Sequence, residues 1–152
     1  MPTQDQVRTL SIRQIAITDA DAAARLSGEL GYPVSPAAME ERIRRLAGLP
    51  DHAVYIACIE NSVVGWIDVG IVHHLQADPY GEIGGLVVSD GHRSAGIGRE
   101  LVLRAEQFAK ERGVAKMVVR SQIAREAAHR FYLREGYERT KTSAVFTKAL
   151  SL

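Results

Sequence analysis

Hydrophobic and polar positions follow two periods along the chain, and each period predicts one kind of element. Short apolar runs and alternating segments bounded by turn residues predict strands, while apolar residues recurring every three or four positions predict helices. Seven strands are expected, at 7–15, 53–59, 63–72, 82–89, 115–121, 137–141 and 144–148. Four helices are expected, after Thr18-Asp19, after Ser35-Pro36, from Gly96, and over 124–134.

The order of these elements predicts one α/β (α+β) domain over residues 1–152, with a mixed, mostly antiparallel, seven-stranded sheet and four helices. Strands 82–89 and 115–121 are joined by the long helix from Gly96, which predicts one right-handed parallel crossover. The second half of 82–89 is apolar on both faces, which is typical of a central strand covered on both sides.

Residues with special backbone preferences mark the helix ends. Thr18-Asp19 and Ser35 are suited to cap the first two helices, and Pro36 favours the first helical position. Gly31 is expected to end the first helix. The expected inward faces are Met39, Ile43 and Leu46 in the second helix, Ile97, Leu101, Val102, Ala105 and Phe108 in the third, and Ala124, Ala127, Ala128 and Phe131 in the fourth.

Composition and charge narrow the functional classes. The 19 basic and 18 acidic residues leave a net charge of +1, which gives no field that would gather nucleic acid or anionic membrane. No apolar run approaches the roughly 18 residues of a membrane helix, and the polar N-terminal segment lacks the apolar core of a signal peptide. Cys58 is the only cysteine, so no intrachain disulfide is expected. We expect a cytoplasmic protein.

The segment Arg93-Ser94-Ala95-Gly96-Ile97-Gly98 lies between the expected central strand and the longest helix. Unpaired amides and the helix dipole attract anions at a helix N-terminus, and glycine lets the backbone approach a phosphate closely. Arg93 would add a charge-assisted contact. A tight turn that merely needs glycine would give the same string. Neither the G-x-G-x-x-G dinucleotide pattern nor the Gly-Lys-Ser/Thr of a P-loop is present.

Two motifs, in this order and at this spacing, resemble the GNAT acetyltransferase superfamily. The first is Glu82-Ile83-Gly84-Gly85-Leu86-Val87-Val88, followed by segment 93–98 and Leu101-Val102. The second is Ala128-His129-Arg130-Phe131-Tyr132, followed by Gly136-Tyr137. The resemblance covers residues 8–149 and is strong over 82–137. It implies the GNAT fold and acetyl-CoA as the cofactor.

The resemblance also implies how acetyl-CoA is held. Amides of the turn bind the pyrophosphate, and the pantetheine arm pairs with the edge of the central strand like an added strand. The implied cofactor-binding residues are Leu86, Val87, Val88, Arg93, Ser94, Ala95, Gly96, Ile97, Gly98 and Arg99, together with Ala128 and Phe131 of the second motif. The family's two parallel strands splay apart beside a bulge, which we expect at Gly84-Gly85.

Arg125 departs from the family pattern. The family often has an asparagine in contact with the cofactor three residues before the alanine equivalent to Ala128, and this chain has Arg125 there. An arginine at this position either meets a cofactor phosphate or is solvated, and both interpretations stay open.

Acetylation of an amine requires a proton acceptor. Deprotonating an amine with a pKa near 10 costs roughly 4 kcal/mol at pH 7, and a carboxylate can take that proton directly or through water. Glu82 is the candidate base, because its offset from Arg93 is similar to that of the glutamate base in the histone acetyltransferase branch. Asp68, His73, His74 and water are alternatives, and Glu82 as a solvated carboxylate at a strand end is another.

The departing thiolate requires a proton donor, and the carbonyl oxygen requires a hydrogen-bond donor. Tyr132 is the candidate acid, because the family places this Phe-Tyr pair near the coenzyme sulfur. A tyrosine that only packs its ring would look the same. The backbone amide of Val88 is the candidate donor to the carbonyl oxygen.

The family walls the acceptor site with its first two helices and last hairpin. The implied acceptor-binding residues are Tyr32, Trp66, Asp68 and Tyr80, and core packing is an alternative for Trp66. Asp68 and Glu82 together would attract a cationic amine of an aminoglycoside-like, polyamine-like or peptidyl kind. No metal is expected, because the neighbours His73 and His74 point to opposite faces of a strand and lack a third ligand.

Three functions fit these observations. The leading one is an N-acetyltransferase that transfers the acetyl group of acetyl-CoA to an amine of a small molecule or peptide, by direct attack in a ternary complex. The same scaffold could use another acyl donor or a hydroxyl acceptor, or it could bind acyl-CoA without catalysis as a sensor. Glu82 and Tyr132 favour catalysis, since a sensor needs neither. Exposed edge strands in the last hairpin favour a homodimer.

Overall fold

The computed structural model describes residues 9–93 and 95–152. The chain divides between Val119 and Arg120 into two compact units. Within the described residues, no helix is long and apolar enough to cross a membrane. The expectation of a single domain over 1–152 stays a prediction.

The first unit contains a sheet and three α-helices within the described part of the chain. The strands are β1 (Leu10–Gln14), β2 (His52–Ile59), β3 (Ser62–Val72), β4 (Tyr80–Val88) and β5 (Met117–Val119), and the α-helices are α1 (Ala20–Leu30), α2 (Pro36–Ala47) and α3 (Ile97–Glu111). Short 3-10 turns at Ile17–Asp19 and Asp90–His92 precede α1 and α3. The second unit contains α4 (Glu126–Arg134).

The sheet has the order β1-β2-β3-β4-β5, and its neighbours are antiparallel except for β4 and β5. These two strands run parallel, with Gly81 opposite Met117 and Ile83 opposite Val119. Because α3 connects them, the predicted parallel crossover is confirmed, and the mixed α/β fold class is confirmed with it.

The prediction of two final strands at 137–141 and 144–148 is wrong. Residues 137–152 form neither helix nor strand, so the described part of the chain has five strands instead of seven. Val145 and Phe146 are 84% and 93% exposed, and an apolar alternation becomes a strand only where a neighbouring strand completes its hydrogen bonds. The expected homodimer loses the edge strands that supported it and stays a prediction.

The other element boundaries differ by a few residues. The first strand begins at Leu10, and positions 7 and 8 of its expected range lie outside the described residues. In α4, Ala128 and Phe131 are partly buried as expected, whereas Ala124 and Ala127 are exposed. The reason is that Ala124 precedes the start of the helix and Ala127 lies off its partly buried side.

Local chemistry sets the ends of the first two helices largely as predicted. Ser35 Oγ accepts a hydrogen bond from the Ala38 amide at 3.1 Å, and Pro36 is the first residue of α2. Gly31 follows α1 with a φ of 104°, a left-handed conformation that favours glycine. Within the predicted stripe of α2, Ile43 is buried and its two neighbours on that face are partly buried.

Asp19 has a role other than the predicted cap of α1. Its carboxylate accepts the Ala16 amide at 2.7 Å and both terminal nitrogens of Arg13 at 2.9 Å, and it makes no capping bond to α1. Burial by itself raises the pKa of Asp19, but the hydrogen bonds from Arg13 and Ala16 outweigh burial, so the net pKa is lowered. The carboxylate therefore fastens β1 to the turn before α1.

Helix α3 packs the predicted face onto one side of the sheet. Its inward residues Ile97, Leu101, Val102, Ala105 and Phe108 are all buried. The ring of Phe108 meets Tyr55 of β2 edge-on, with centroids 6.4 Å apart. Gly65 of β3 makes room for Leu101, because a β-carbon there would lie 3.2 Å from Leu101 Cδ1. This side of the central strands carries one layer of the first unit's core.

The opposite side of the sheet faces α1, and we call it the α1 face. Trp66 of β3 marks this face, because its indole nitrogen donates to the Ala23 carbonyl of α1 at 3.3 Å. Residues opposite each other in antiparallel strands share a face, as do alternate residues along one strand. The register therefore determines which other side chains lie beside Trp66 on the α1 face.

Candidate active site

A bulge interrupts β4 at Gly84. Ile83 lies opposite Val69 of β3 and Gly85 lies opposite Asp68, so Gly84 is an extra residue without a partner on β3. The predicted bulge is confirmed. The parallel pairing with β5 ends at Ile83, the residue just before the bulge, although β4 continues to Val88.

Beyond the bulge, one edge of β4 has no strand paired with it within the described residues of the first unit, and we call it the open edge. Ser89 donates its amide to Val64 of β3 at 2.8 Å, which makes this a hydrogen-bonded pair. Hydrogen bonding alternates along an antiparallel pair, so the amides of Leu86 and Val88 are directed to the other edge. An extended ligand can pair with that edge as an added strand would.

The turn after β4 leads to the N-terminus of α3. Gly96 precedes the helix with a φ of 80°, and its carbonyl accepts the first intrahelical bond, from Glu100 at 3.2 Å. The amides of Ile97, Gly98 and Arg99 therefore have no acceptor within the helix and can bind an anion. Ser94 lies outside the described residues.

Arg93 makes contacts other than the predicted one with a phosphate. Its Nε donates to the Val88 carbonyl at 3.3 Å, and its guanidinium pairs with Asp90 at 3.0 Å. The side chain is thus bonded to the end of β4, from which it would have to be released to reach an anion.

Three ionisable side chains lie in two successive rows of the α1 face. One row pairs Asp68 of β3 with Gly85 of β4. The next row holds His52 of β2, Gly70 of β3 and Glu82 of β4. Nε2 of His52 bonds to Oδ1 of Asp68. The site thus places the candidate base Glu82 beside a carboxylate–imidazole pair.

Two glycines provide the space for this pair. A β-carbon on Gly70 would lie 2.8 Å from Nδ1 of His52, and one on Gly84 would lie 3.0 Å from Oδ2 of Asp68. Both distances are too short for a real side chain to be accommodated without movement. The absence of side chains at these two positions is therefore a condition for the observed arrangement.

His52 is a residue that sequence reasoning missed. It opens an apolar strand, and nothing in its neighbourhood along the chain connects it with Asp68, which is 16 positions away. Only the register of β2 against β3 brings them together. The signal that would have found it is a histidine one row from an acidic residue on the same face of an expected hairpin.

The other predicted acceptor residues are more scattered. Trp66 lies on the α1 face one row from Asp68, with its indole N–H bonded to α1. Tyr80 is buried at the start of β4 and contacts His74 at 3.2 Å. Tyr32 follows α1 and is 58% exposed. The first unit thus groups Trp66 with Asp68 but gives Tyr80 and Tyr32 different surroundings.

His73 is separate from this cluster. It follows the last residue of β3 and its Nε2 lies 3.3 Å from Asp51, in a pair whose two side chains are both more than half exposed. It therefore belongs to the surface at the end of the strand, and the alternative in which it serves as the base has no support from the geometry.

The second unit holds Tyr132 in a cluster of rings. Its ring meets Phe131 at 5.1 Å and Tyr137 at 5.8 Å between centroids, both edge-on. Burial raises the pKa of Tyr132 above its ordinary value, and the positive charge of Arg125 opposes that shift in part. A phenol in this environment keeps its proton at neutral pH.

Among the described residues, no group of three or more histidine, cysteine, aspartate or glutamate side chains is arranged to hold a metal ion.

Comparison with known proteins identifies the family. The model of the Acetyltransferase (GNAT) family matches residues 19–137. Aminoalkylphosphonate N-acetyltransferase from Salmonella typhimurium is 41% identical over 96 residues, which are 62% of this chain and 61% of that protein's length. Aminoglycoside N(6')-acetyltransferase type 1 from Stenotrophomonas maltophilia is 28% identical over 146 residues, or 92% of this chain and 94% of that protein.

The fold is shared with solved structures. Aminoglycoside N-acetyltransferase AAC(6')-Iy, solved in complex with CoA, has a TM-score of 0.84 at 18% identity, over 93% of this chain and 96% of that one. These structures share the mixed α/β fold with its parallel β4–β5 pair. The chain belongs to the Acetyltransferase (GNAT) family. The predicted family, enzyme class and cofactor are confirmed.

The residues present fit acetyl-CoA. The amides at the start of α3 suit a diphosphate, and the open edge of β4 suits an extended amide-containing arm. When bound, the cofactor supplies the acetyl group as a thioester. Both features lie in the first unit and are contiguous in sequence, from Leu86 to Arg99.

Proposed function

We propose that this protein is an N-acetyltransferase that transfers the acetyl group of acetyl-CoA to a cationic small-molecule amine by direct attack in a ternary complex. The observation that carries the proposal is the α1 face of the bulged strand. There Glu82 lies in the same row as His52 and one row from Asp68, and the open cofactor edge of β4 begins at the next residues. A sensor of acyl-CoA would need the edge but would not need the carboxylates.

Residues of the central strand and the following turn hold the cofactor in this proposal. The amide of Val88 binds the extended arm, and the amides of Ile97, Gly98 and Arg99 bind the diphosphate. The remaining predicted positions of the turn, Arg93, Ser94 and Ala95, and Ala128 and Phe131 of the second unit are proposed from the family resemblance alone. Arg125, which departs from the family pattern, is proposed to contact a cofactor phosphate.

Glu82 and Tyr132 share the proton chemistry. Glu82 accepts the proton of the substrate ammonium, directly or through water, and so produces the neutral amine that can attack. The Leu86 amide is directed to the open edge four residues from Glu82 and stabilises negative charge on the carbonyl oxygen. The predicted Val88 amide lies about 20 Å from Glu82 along the extended strand, which is too far for this role. Tyr132 donates its proton to the leaving sulfur, and its raised pKa keeps the phenol protonated at neutral pH until that step.

The charge of the α1 face favours an acceptor with more than one amine. Asp68 and Glu82 place two carboxylates in adjacent rows, which attract cationic groups and repel a phosphonate. One relative acts on aminoalkylphosphonates and the other on aminoglycosides. Of these two chemistries, and of the peptidyl amines also expected, the polyamine or aminoglycoside class fits these carboxylates best.

The test is a thiol-release assay with acetyl-CoA and a panel of amines. The panel contains an aminoglycoside, a linear polyamine, a lysine peptide, an aminoalkylphosphonate and an amino alcohol without a phosphonate. We expect turnover with the polycationic amines, a weaker response to the aminoalkylphosphonate, and a large loss of turnover in Glu82→Gln. Calorimetry should show binding of acetyl-CoA and none of NAD. Binding of acetyl-CoA without turnover of any amine would instead support a sensor.

A further inference from the structure

The contact between His52 and Asp68 is built into the sheet. The two residues come from neighbouring strands, and they are diagonal neighbours because His52 lies opposite Gly70, two positions from Asp68. Their side chains are only 23% and 30% exposed. An ionised carboxylate can only accept hydrogen bonds, so the Nε2–H of the imidazole is the donor and Asp68 Oδ1 is the acceptor.

The two oxygens of Asp68 have different surroundings. Oδ1 is bonded to His52, whereas Oδ2 lies above Gly84, the extra residue of the bulge. The bulge is also the point from which β4 leaves its parallel partner and its open edge begins. One oxygen is thus occupied by the imidazole, and the other is held over the place where the cofactor edge starts.

We propose that His52 is a positioning residue for the amine substrate: it orients the Asp68 carboxylate so that Oδ2 is presented to the substrate ammonium at the bulge. This inference rests on the proposed function and deepens it, because it assigns Asp68 to amine binding and leaves proton acceptance to Glu82. The arrangement fixes a short side chain that would otherwise change rotamer, and a fixed carboxylate loses less entropy on binding.

The charges that face the pair agree with this role. Glu82 lies across Gly70 from His52 in the same row, so the substrate meets two carboxylates and one imidazole. Two acidic side chains attract an ammonium group. In this proposal Asp68 binds an amine of the substrate, and Glu82 accepts the proton.

The experiment compares steady-state kinetics of the whole protein and four variants with a polycationic amine and acetyl-CoA. His52→Ala removes the donor, whereas His52→Gln keeps an amide N–H near the position of Nε2. Gly70→Ala keeps the histidine at position 52 but displaces its ring from Asp68, because the new β-carbon would lie 2.8 Å from Nδ1. His73→Ala is the matched control, since it removes the exposed histidine–aspartate pair with Asp51.

We expect His52→Ala to raise KM for the amine and lower kcat/KM about tenfold or more, the effect of losing a hydrogen bond to a charged group. KM for acetyl-CoA should be unchanged. Gly70→Ala should reproduce the loss, His52→Gln should recover most of it, and His73→Ala should match the wild type.

Two results would overturn the inference while leaving the proposed function intact. One is wild-type kinetics in both His52→Ala and Gly70→Ala. The other is a loss that His52→Gln does not recover and that affects KM for acetyl-CoA equally, because this pattern marks a general structural role. If the wild type binds acetyl-CoA but acetylates no amine, the proposed function itself fails, and the inference fails with it.

Discussion

Gly84 lies beneath the carboxylate of Asp68, so that a β-carbon on Gly84 would come within 3.0 Å of Oδ2 and 3.3 Å of Cγ. We therefore predict that Gly84→Ala turns the carboxylate away from the bulge. KM for the amine should rise several-fold to about tenfold, which corresponds to roughly 1 kcal/mol of lost binding. Steady-state kinetics with varied amine at saturating acetyl-CoA measure this effect.

Gly28→Ala is the control for that substitution. Gly28 lies within α1, has an ordinary helical φ, and has no atom within 4 Å of the position of an added β-carbon. Alanine there should leave the kinetics unchanged and stabilise the protein by about 0.5–1 kcal/mol, because alanine favours the helix. Unchanged amine KM in Gly84→Ala would mean that Asp68 does not bind the substrate.

The left-handed glycines at the two ends of α3 allow a test of the anion-binding turn. Gly96 precedes the helix with a φ of 80°, and Gly113 follows it with a φ of 77°. At both positions an added β-carbon meets no atom within 4 Å. Gly96→Val should abolish detectable binding of acetyl-CoA in calorimetry, because the side chain keeps the diphosphate from the helix amides.

Gly113→Val introduces the same backbone strain at the end that carries no binding amides. Each variant should lose roughly 2 kcal/mol of stability, the cost of a left-handed conformation for a branched residue. Only Gly96→Val should lose acetyl-CoA affinity. Equal affinity in the two variants would show that the turn before α3 is not the diphosphate site.

The part of the site that sequence predicts is the part formed by local chemistry. The bulge at Gly84, the rest of β4 and the amides after Gly96 belong to one continuous stretch of chain. The glycines and the apolar run of this stretch therefore predicted the bulge, the central strand and the anion-binding turn without knowledge of the fold. The inward face of α3 follows for the same reason, because helical spacing alone determines which residues share a side.

What the sequence did not predict depends on contacts between distant segments. His52 and Asp68 meet only because β2 and β3 pair in one particular register, and a shift of one residue would place them on opposite faces. Aspartate is a residue type that often caps helices, but the carboxylate of Asp19 binds Arg13 of β1 and not the amides of α1. The last two expected strands failed because alternation in 137–148 gives no information about a partner strand.

Asp19 makes the stability of the protein sensitive to acid. Its folded pKa is lowered because the hydrogen bonds from Arg13 and Ala16 outweigh burial. A carboxylate with a lowered folded pKa contributes stability that is present above its unfolded pKa, about 3.8, and that is lost as the pH falls through the folded pKa. Asp19→Asn should therefore cost about 1–2 kcal/mol at pH 7, a low value for a buried pair because Arg13 is half exposed.

Urea denaturation at pH 7, 5 and 3 measures this difference, and it should narrow at the lowest pH. Glu41→Gln is the matched control, since Glu41 forms an exposed pair with Arg45 at 3.4 Å on α2. Such a pair contributes only a few tenths of a kcal/mol at most. A constant difference between wild type and Asp19→Asn at every pH would exclude ionisation of Asp19 as its cause.

Tyr132→Phe tests the proton donor, and Tyr55→Phe is its control, because burial raises the pKa of both tyrosines but Tyr55 lies in the core against Phe108. We predict that Tyr132→Phe lowers kcat by tenfold or more, on the order of a general-acid effect, with little change in acetyl-CoA affinity by calorimetry.

In the wild type, kcat should hold from pH 7 to about 10 and fall only above it, since a phenol with a raised pKa stays protonated until then. Tyr55→Phe should keep both kcat and that pH profile. An unchanged kcat in Tyr132→Phe would assign protonation of the sulfur to water or another group.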